Sequence, residues 1–335
     1  MNIQEVKYSR FSIVKEMFDV INIIKEFNFN ITKEFIPVIK RKKGILLTGE
    51  GSSRIFPAKM VVYNAMKKGV DIFFFTEGST QANEYRLSDY IIFGASNSGK
   101  TKEIIKMFQK LKSGNHDSFF GITANQNTPL EELAIKTLIL SCGKENAIAA
   151  TKSVIEQALF YHSLLYNLTD ENMPDLNKVA KKIEDTLTLK IDPAIIQMIK
   201  DASLIYFAGR NNGVAEELTL KTNEILRKKS DYLEGTYLMH GIEEVMNKNE
   251  ILIIIDPFEN EEENIKRFLG KDLDMKIIAV SSRETVFPTI KVPFDNNYKE
   301  YIELVCGWNI LVEAGILSGI DLDHPVRARK IGNEI

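Results

Sequence analysis

Short apolar runs alternate with helix-periodic segments along most of this chain, and that alternation limits its fold more than any other feature. The first series reads GILLTG and a helix, DIFFF, DYIIFGAS and a helix, SFFGIT and a helix, then TLILS and a long helix. Runs that are apolar throughout fit strands covered on both faces, and strands separated by helices pair in parallel through crossovers. A second series follows: SLIYFAGR and a helix, EILIIIDP and a helix, MKIIAVSS, and TIKVPF. The pattern predicts an α/β protein with two parallel sheets, and 335 residues are enough for two cores. NLTDENMPDLNK, polar and containing Pro174, marks the break between the halves. Val14, Phe18, Ile21 and Ile24 recur at helical spacing from Phe11 to Phe27 and predict a packed outer helix. The expected divisions are an N-terminal helix over 1–30, a first domain over 31–170, a second over 171–319 and a tail over 320–335.

The halves match each other weakly. LLTGEGSS aligns with YFAGRNNG, and GITANQNTPLEELA loosely with AVSSRETVFPTI, which suggests two copies of one unit. Where the first copy has SNSGKT, the second has DPFENEEEN, whose acidic residues would repel an anion. Any phosphate site is therefore expected in the first half.

Composition removes several function classes. A formal charge of −3, with Lys and Arg interleaved among Asp and Glu, gives no basic field for nucleic acid. The charged N-terminus lacks an apolar signal core, and the longest apolar run, Ile251 to Ile255, is too short to span a membrane. A cytoplasmic protein without a membrane partner is expected. Cys142 and Cys306 show neither a disulfide framework nor metal-ligand spacing and read as packed thiols.

GASNSGKT, Gly94 to Thr101, follows a strand and opens a helix. Helix N-termini present unpaired amides and a positive dipole end, so Ser96, Ser98 and Thr101 are placed to hold a phosphate dianion without arginine. Two other readings stand beside this one. Ser96 or Ser98 could simply cap the helix. The residues also satisfy G-x-x-x-x-G-K-[ST], with Lys100 as its lysine and Asp256 as a Walker B aspartate, although the loop falls on a later strand of its half. GEGSSR fails as a dinucleotide fingerprint because Arg54 replaces the third glycine, and Ser52 and Ser53 are either caps or sugar ligands.

In the second half, Glu217, Lys221 and Glu224 fall at i, i+4 and i+7, on one helix face. A solvated stripe of ion pairs is the plain reading of that spacing. The face nevertheless follows a glycine-containing strand end, where open α/β sheets bind ligands, and His240 comes soon after in LMHGIEE as a candidate proton carrier. His116 lies in a polar turn, and His162 in FYHSLLY reads as packing. The C-terminal GIDLDHPVRARKIGNEI is turn-rich and carries Lys330, an amine that could serve a carbonyl substrate.

Taken in order, FSIVKEMFDVINII, GEGSS, SNSGKT, ENAIAATKS, the Glu217 to His240 block and DHPVRARK resemble the tandem sugar isomerase (SIS) family, most of all the isomerase half of glucosamine-6-phosphate synthase. The resemblance covers nearly the whole chain. It implies two SIS-type domains, each a flavodoxin-like parallel sheet between helix layers. It assigns sugar and phosphate contacts to Ser52, Ser53, Ser96, Asn97, Ser98, Thr101 and Ile148. It makes Glu224 the proton shuttle between C1 and C2, with Lys221 assisting, His240 the ring-opening residue and Lys330 the imine-forming lysine. It also implies a homodimer in which His240 crosses from the neighbouring subunit, and no metal or organic cofactor.

The departures are Ala150 in place of a serine, Val326 at an arginine-like tail position, and the ending IGNEI. No glutaminase-like segment precedes Phe11, so glutamine is not expected to be the direct nitrogen donor. The activity expected is interconversion of a hexosamine 6-phosphate, glucosamine 6-phosphate first, with fructose 6-phosphate and ammonia. Its alternatives are a deglycase acting on a 6-phosphorylated fructosamine of an amino acid and a non-catalytic sugar-phosphate regulator.

Overall fold

A computed structural model of the chain describes residues 1–169, 171 and 173–327. It forms two compact units. One comprises Asn22–Glu145 and Ala150–Asn177, and the other Met1–Ile21, Asn146–Ala149 and 178–327.

In the first of these, β1 (Gly44–Gly49), β2 (Phe73–Gly78), β3 (Tyr90–Ala95), β4 (Phe119–Thr123) and β5 (Lys136–Ile139) form one sheet in the order β2-β1-β3-β4-β5. Every pairing is parallel. The apolar runs read as they do because both faces are covered. Ile45, Leu47, Ile91 and Phe93 enter a core that includes Phe35, Phe120 and Phe160. Leu46 and Ile92, one residue out of phase, pack on the opposite face with Ile104, Phe108 and Phe119.

The second unit repeats the plan with β6 (Ile205–Gly209), β7 (Ser230–Glu234), β8 (Ile251–Ile255), β9 (Lys276–Ser281) and β10 (Thr289–Lys291), in the order β10-β9-β8-β6-β7 and again all parallel. Numbered within its own unit, each sheet runs 2-1-3-4-5, the flavodoxin-like order. β1 therefore corresponds to β6, β3 to β8 and β4 to β9, which is the correspondence the weak internal match implied. β7 escapes the sequence pattern: it is an edge strand, and of SDYLE only Leu233 is fully buried.

Two helices of this unit pack tightly enough to require glycine. A Cβ at Gly307, on helix Lys299–Leu317, would lie 2.2 Å from the Leu218 side chain of helix Val214–Lys221. The N-terminal helix Ser12–Glu26 buries Ile13, Met17 and Val20 as well as Val14 and Ile24, a wider face than the expected stripe, while Phe18 and Ile21 are half-buried. Its first amides, of Ser12 and Ile13, donate to the Asp323 carboxylate at 2.7 and 2.9 Å, so the tail is anchored at that residue. Both cysteines are free, and burial raises each thiol above its ordinary pKa. Among the described residues no helix is long and apolar enough to cross a membrane.

Candidate functional site

In a 2-1-3-4-5 sheet the chain reverses direction across the sheet between the first and third strands, and the carboxyl ends of those strands flank an open crevice. In the first unit these are β1 and β3, paired in register from Gly44 opposite Tyr90 to Gly49 opposite Ala95. Ser96 leaves β3 with its amide bonded to the Ile122 carbonyl at 2.9 Å. Its buried hydroxyl meets the Thr101 hydroxyl at 2.7 Å and accepts from the Thr101 amide at 3.3 Å. The Ser98 hydroxyl accepts from the Lys100 amide at 3.3 Å. Gly99, at φ +68°, makes the reversal, and a Cβ there would lie 2.4 Å from the Thr128 hydroxyl.

Thr101 is the N-cap of helix Lys102–Ser113, and its own side chain makes no capping hydrogen bond. Neither Ser96 nor Ser98 is the cap residue: their hydroxyls accept from Thr101 and Lys100, before the helix begins. The helix start lies beside three hydroxyls, those of Ser96, Ser98 and Thr101, and helix starts of this kind suit an oxyanion. Lys100 is exposed. Asp256, the residue a nucleotide site would need for its cation, is spent on Arg210 and Lys299.

Asn97 is held rather than free. Its side-chain amide nitrogen donates to Glu145 at 2.5 Å and to Ser153 at 3.2 Å, while its backbone carbonyl accepts from Thr123 and Asn125. Glu145, 1% exposed, also accepts from the Thr151 amide at 2.7 Å and the Ser153 hydroxyl at 2.8 Å. This clamp sets the shape of the loop, and the residue reading passed over Glu145 although it lies in ENAIAATKS. Across the crevice, Ser52 is buried and Ser53 half-buried in the turn Gly51–Ser53. Neither is a helix cap, because Arg54 holds that position without a side-chain bond. Gln157 donates to the Ser53 carbonyl. Glu50 accepts from the Ser79 amide at 3.0 Å, and burial, with Glu103 adding to it, raises its pKa above the usual carboxylate value.

The second unit holds the acid-base candidates. Helix Val214–Lys221 passes directly into a π-helical turn, Thr222–Leu226, with Glu224 in the middle of it. Turns of this kind are uncommon and frequent at functional sites. Lys221 and Glu217 have fully buried side chains, so the solvated-stripe reading fails. The Lys221 ammonium lies 2.8 Å from Glu224, which is 23% exposed, and 3.3 Å from Glu217. Desolvation pulls its pKa down, but Glu224 and Glu217 together outweigh that and hold it above the ordinary lysine value. The one solvent-reaching group of the triad is therefore a carboxylate held in place by a buried cation.

His240 is on a different element. It is exposed at the end of the turn Tyr237–Met239 and, with Tyr232, Glu234, Gly235, Thr236 and Tyr237, lines a hollow of about 710 Å³. Ile148 is half-buried within Asn146–Ala149. His162 is buried against the rings of Phe29 and Tyr166. Lys330 lies outside the described residues. Among the described residues there is no group of three or more His, Cys, Asp or Glu side chains able to hold a metal.

Two parallel five-stranded sheets of this order, flanked by helices, make a doubled flavodoxin-like α/β fold, consistent with SIS-type domains. Solved structures share it. The E. coli tagatose-6-phosphate ketose/aldose isomerase matches with a TM-score of 0.78 at 16% identity, over 97% of this chain and 98% of that one. The C-terminal domain of glucosamine-fructose-6-phosphate aminotransferase from Francisella tularensis matches with 0.75 at 18%, over 94% and 98%. Glucosamine-6-phosphate deaminase from Thermotoga maritima matches with 0.70 at 20%, over 95% and 98%. No protein-family model matches the chain, and no curated protein matches its sequence.

Proposed function

We propose that the protein is a phosphosugar isomerase/deaminase that interconverts a hexosamine 6-phosphate with fructose 6-phosphate and ammonia. The observation that carries this reading is Glu224 on its π turn, partly open to solvent and fixed by the buried Lys221 ammonium at 2.8 Å. Moving a hydrogen between adjacent sugar carbons needs a single carboxylate that takes and returns a proton, and its geometry must not drift between the two steps. The loop from Ser96 to Thr101 supplies the phosphate grip through hydroxyls and amides. His240 opens the ring; its exposure suits delivery to the active site of a partner subunit in a homodimer. Lys330 is assigned the carbonyl or amine. The isomerase and the deaminase among the matched structures support the same class of chemistry.

A second reading uses the same residues, a deglycase acting on a phosphorylated fructosamine, with the open hollow beside His240 as the place for the amino-acid substituent. One assay separates the two: ammonia release from hexosamine 6-phosphates against amino-acid release from phosphorylated fructosamines. Glu224→Gln is expected to lower turnover about 10²- to 10⁴-fold while sugar-phosphate binding persists. Near-normal turnover in that variant removes Glu224 from the mechanism, and binding without turnover of any of these substrates makes the protein a sugar-phosphate regulator instead.

A further inference from the structure

The second sheet has the same crevice as the first, between the carboxyl ends of β6 and β8, and no role has been given to it. Asp256 follows β8 as Ser96 follows β3, and its amide bonds to the Val280 carbonyl of β9 at 2.8 Å just as Ser96 bonds to β4. Arg210 follows β6 as Glu50 follows β1. The chemistry is inverted: where the first crevice has a carboxylate and hydroxyls, the second has two cations around one carboxylate.

Arg210 Nη1 lies 2.6 Å, and Lys299 Nζ 2.5 Å, from the same oxygen, Asp256 Oδ2. The two cationic heads therefore sit side by side, while Arg210 also lies over the Phe258 ring, 4.3 Å from its centre. All three charged side chains reach solvent, at 20%, 20% and 23% exposure. Their donor capacity is mostly unspent. A guanidinium has five N–H donors and an ammonium three, and among the described residues Arg210 and Lys299 donate only to Asp256.

Behind them Glu303, 3% exposed, leaves Oε2 without a hydrogen-bond partner. Burial, offset in part by Lys299, raises its pKa well above the usual carboxylate value and favours its donor form. Glu300 is the other carboxylate that acts on Lys299. The glutamates after Asp256 do not close the crevice as a bloc. Glu262 is turned inward onto Arg283 and the Val286 amide, and Glu259 and Glu263 are exposed.

We propose that this crevice is a second oxyanion site, in which Arg210, Lys299 and Glu303 bind a phosphoryl group and Asp256 is the internal anion that the ligand competes with. The ligand class is inorganic phosphate or a phosphate monoester. The site is independent of the isomerase reading and would stand if that reading failed.

The test is phosphate binding by isothermal titration on the full chain with the first loop silenced by Ser96→Ala and Thr101→Val. One phosphate per chain is expected to remain. Adding Asp256→Asn should tighten it about fivefold, the effect of removing one partly screened charge, since asparagine tolerates the φ of +46° at this position. Adding Lys299→Met should abolish it. A gain in affinity cannot arise from misfolding, so Asp256→Asn protects the test against damaged protein. Tighter binding of fructose 6-phosphate than of inorganic phosphate would identify an ester as the ligand, and equal binding free phosphate. No residual phosphate site, or one that Asp256→Asn leaves unchanged, overturns the proposal.

Discussion

Replacing Lys221 with methionine should destabilise the second unit sharply, and the size of the effect follows from burial. The substitution keeps most of the side-chain volume and removes an ammonium 3.3 Å from Glu217 and 2.8 Å from Glu224. Glu224, 23% exposed, can turn to water and loses little. Glu217 has no exposed surface, so its charge is left in the interior with its cation gone, a change that costs about 3–5 kcal/mol. Urea unfolding followed by fluorescence measures this cleanly. Trp308 is the only tryptophan in the chain, and it is buried on helix Lys299–Leu317, the helix that packs Gly307 against Leu218. Lys221→Met combined with Glu217→Gln should recover at least about half of the loss, because the stranded charge has been removed. The pH dependence has a definite sign. A raised folded-state pKa means the stabilisation by Lys221 is complete below the ordinary lysine value of about 10.4 and is lost as pH climbs through the raised one. The gap between wild type and Lys221→Met should therefore stay constant from about pH 7 to 9 and narrow only above about 10.4. A single variant costing under about 1 kcal/mol, or a double variant no more stable than the single, would refute the reasoning.

Two further outcomes are expected. Glu303 has its folded pKa raised, so wild type loses stability as pH rises above the ordinary glutamate value of about 4.3, whereas Glu303→Gln does not. The stability of the variant relative to wild type should thus increase as pH rises above about 4.3 in the same fluorescence experiment, and a decrease would contradict the burial argument. Gly99→Ala adds a Cβ 2.4 Å from Thr128 at a φ of +68°, which should cost about 1–3 kcal/mol and weaken sugar-phosphate binding about tenfold. Unchanged affinity by titration would show that the loop does not grip the ligand.

Strands were legible where both faces are buried: GILLTG, YIIFGA and ILIII announce themselves because every residue in them but the half-buried Tyr90 is buried. SDYLE did not, since an edge strand carries polar residues on its open side and so resembles a loop. The internal match between LLTGEGSS and YFAGRNNG was legible for the same reason, as both are central strands running into a crevice. The hydroxyl-rich turn after β3 could be read because its chemistry lies within six consecutive residues, Ser96 to Thr101. What those residues are spent on could not be read, since the Asn97 amide is claimed by Glu145 and Ser153 from a distant stretch of chain.

The sequence by itself determined the βαβ order, the doubling of the unit and the hydroxyl-rich turn on the first sheet, since each depends on neighbouring residues and on the periodicity of burial. Only the tertiary structure decided the electrostatics. Spacing placed Glu217, Lys221 and Glu224 on one face, but packing against helix Lys299–Leu317 determined that this face is interior, and so turned an ordinary surface stripe into a buried cation steering one carboxylate. Arg210, Asp256 and Lys299 are far apart in sequence and meet only because β6, β8 and that helix end at the same crevice. Charge acts through distance and dielectric, and both are set by the fold.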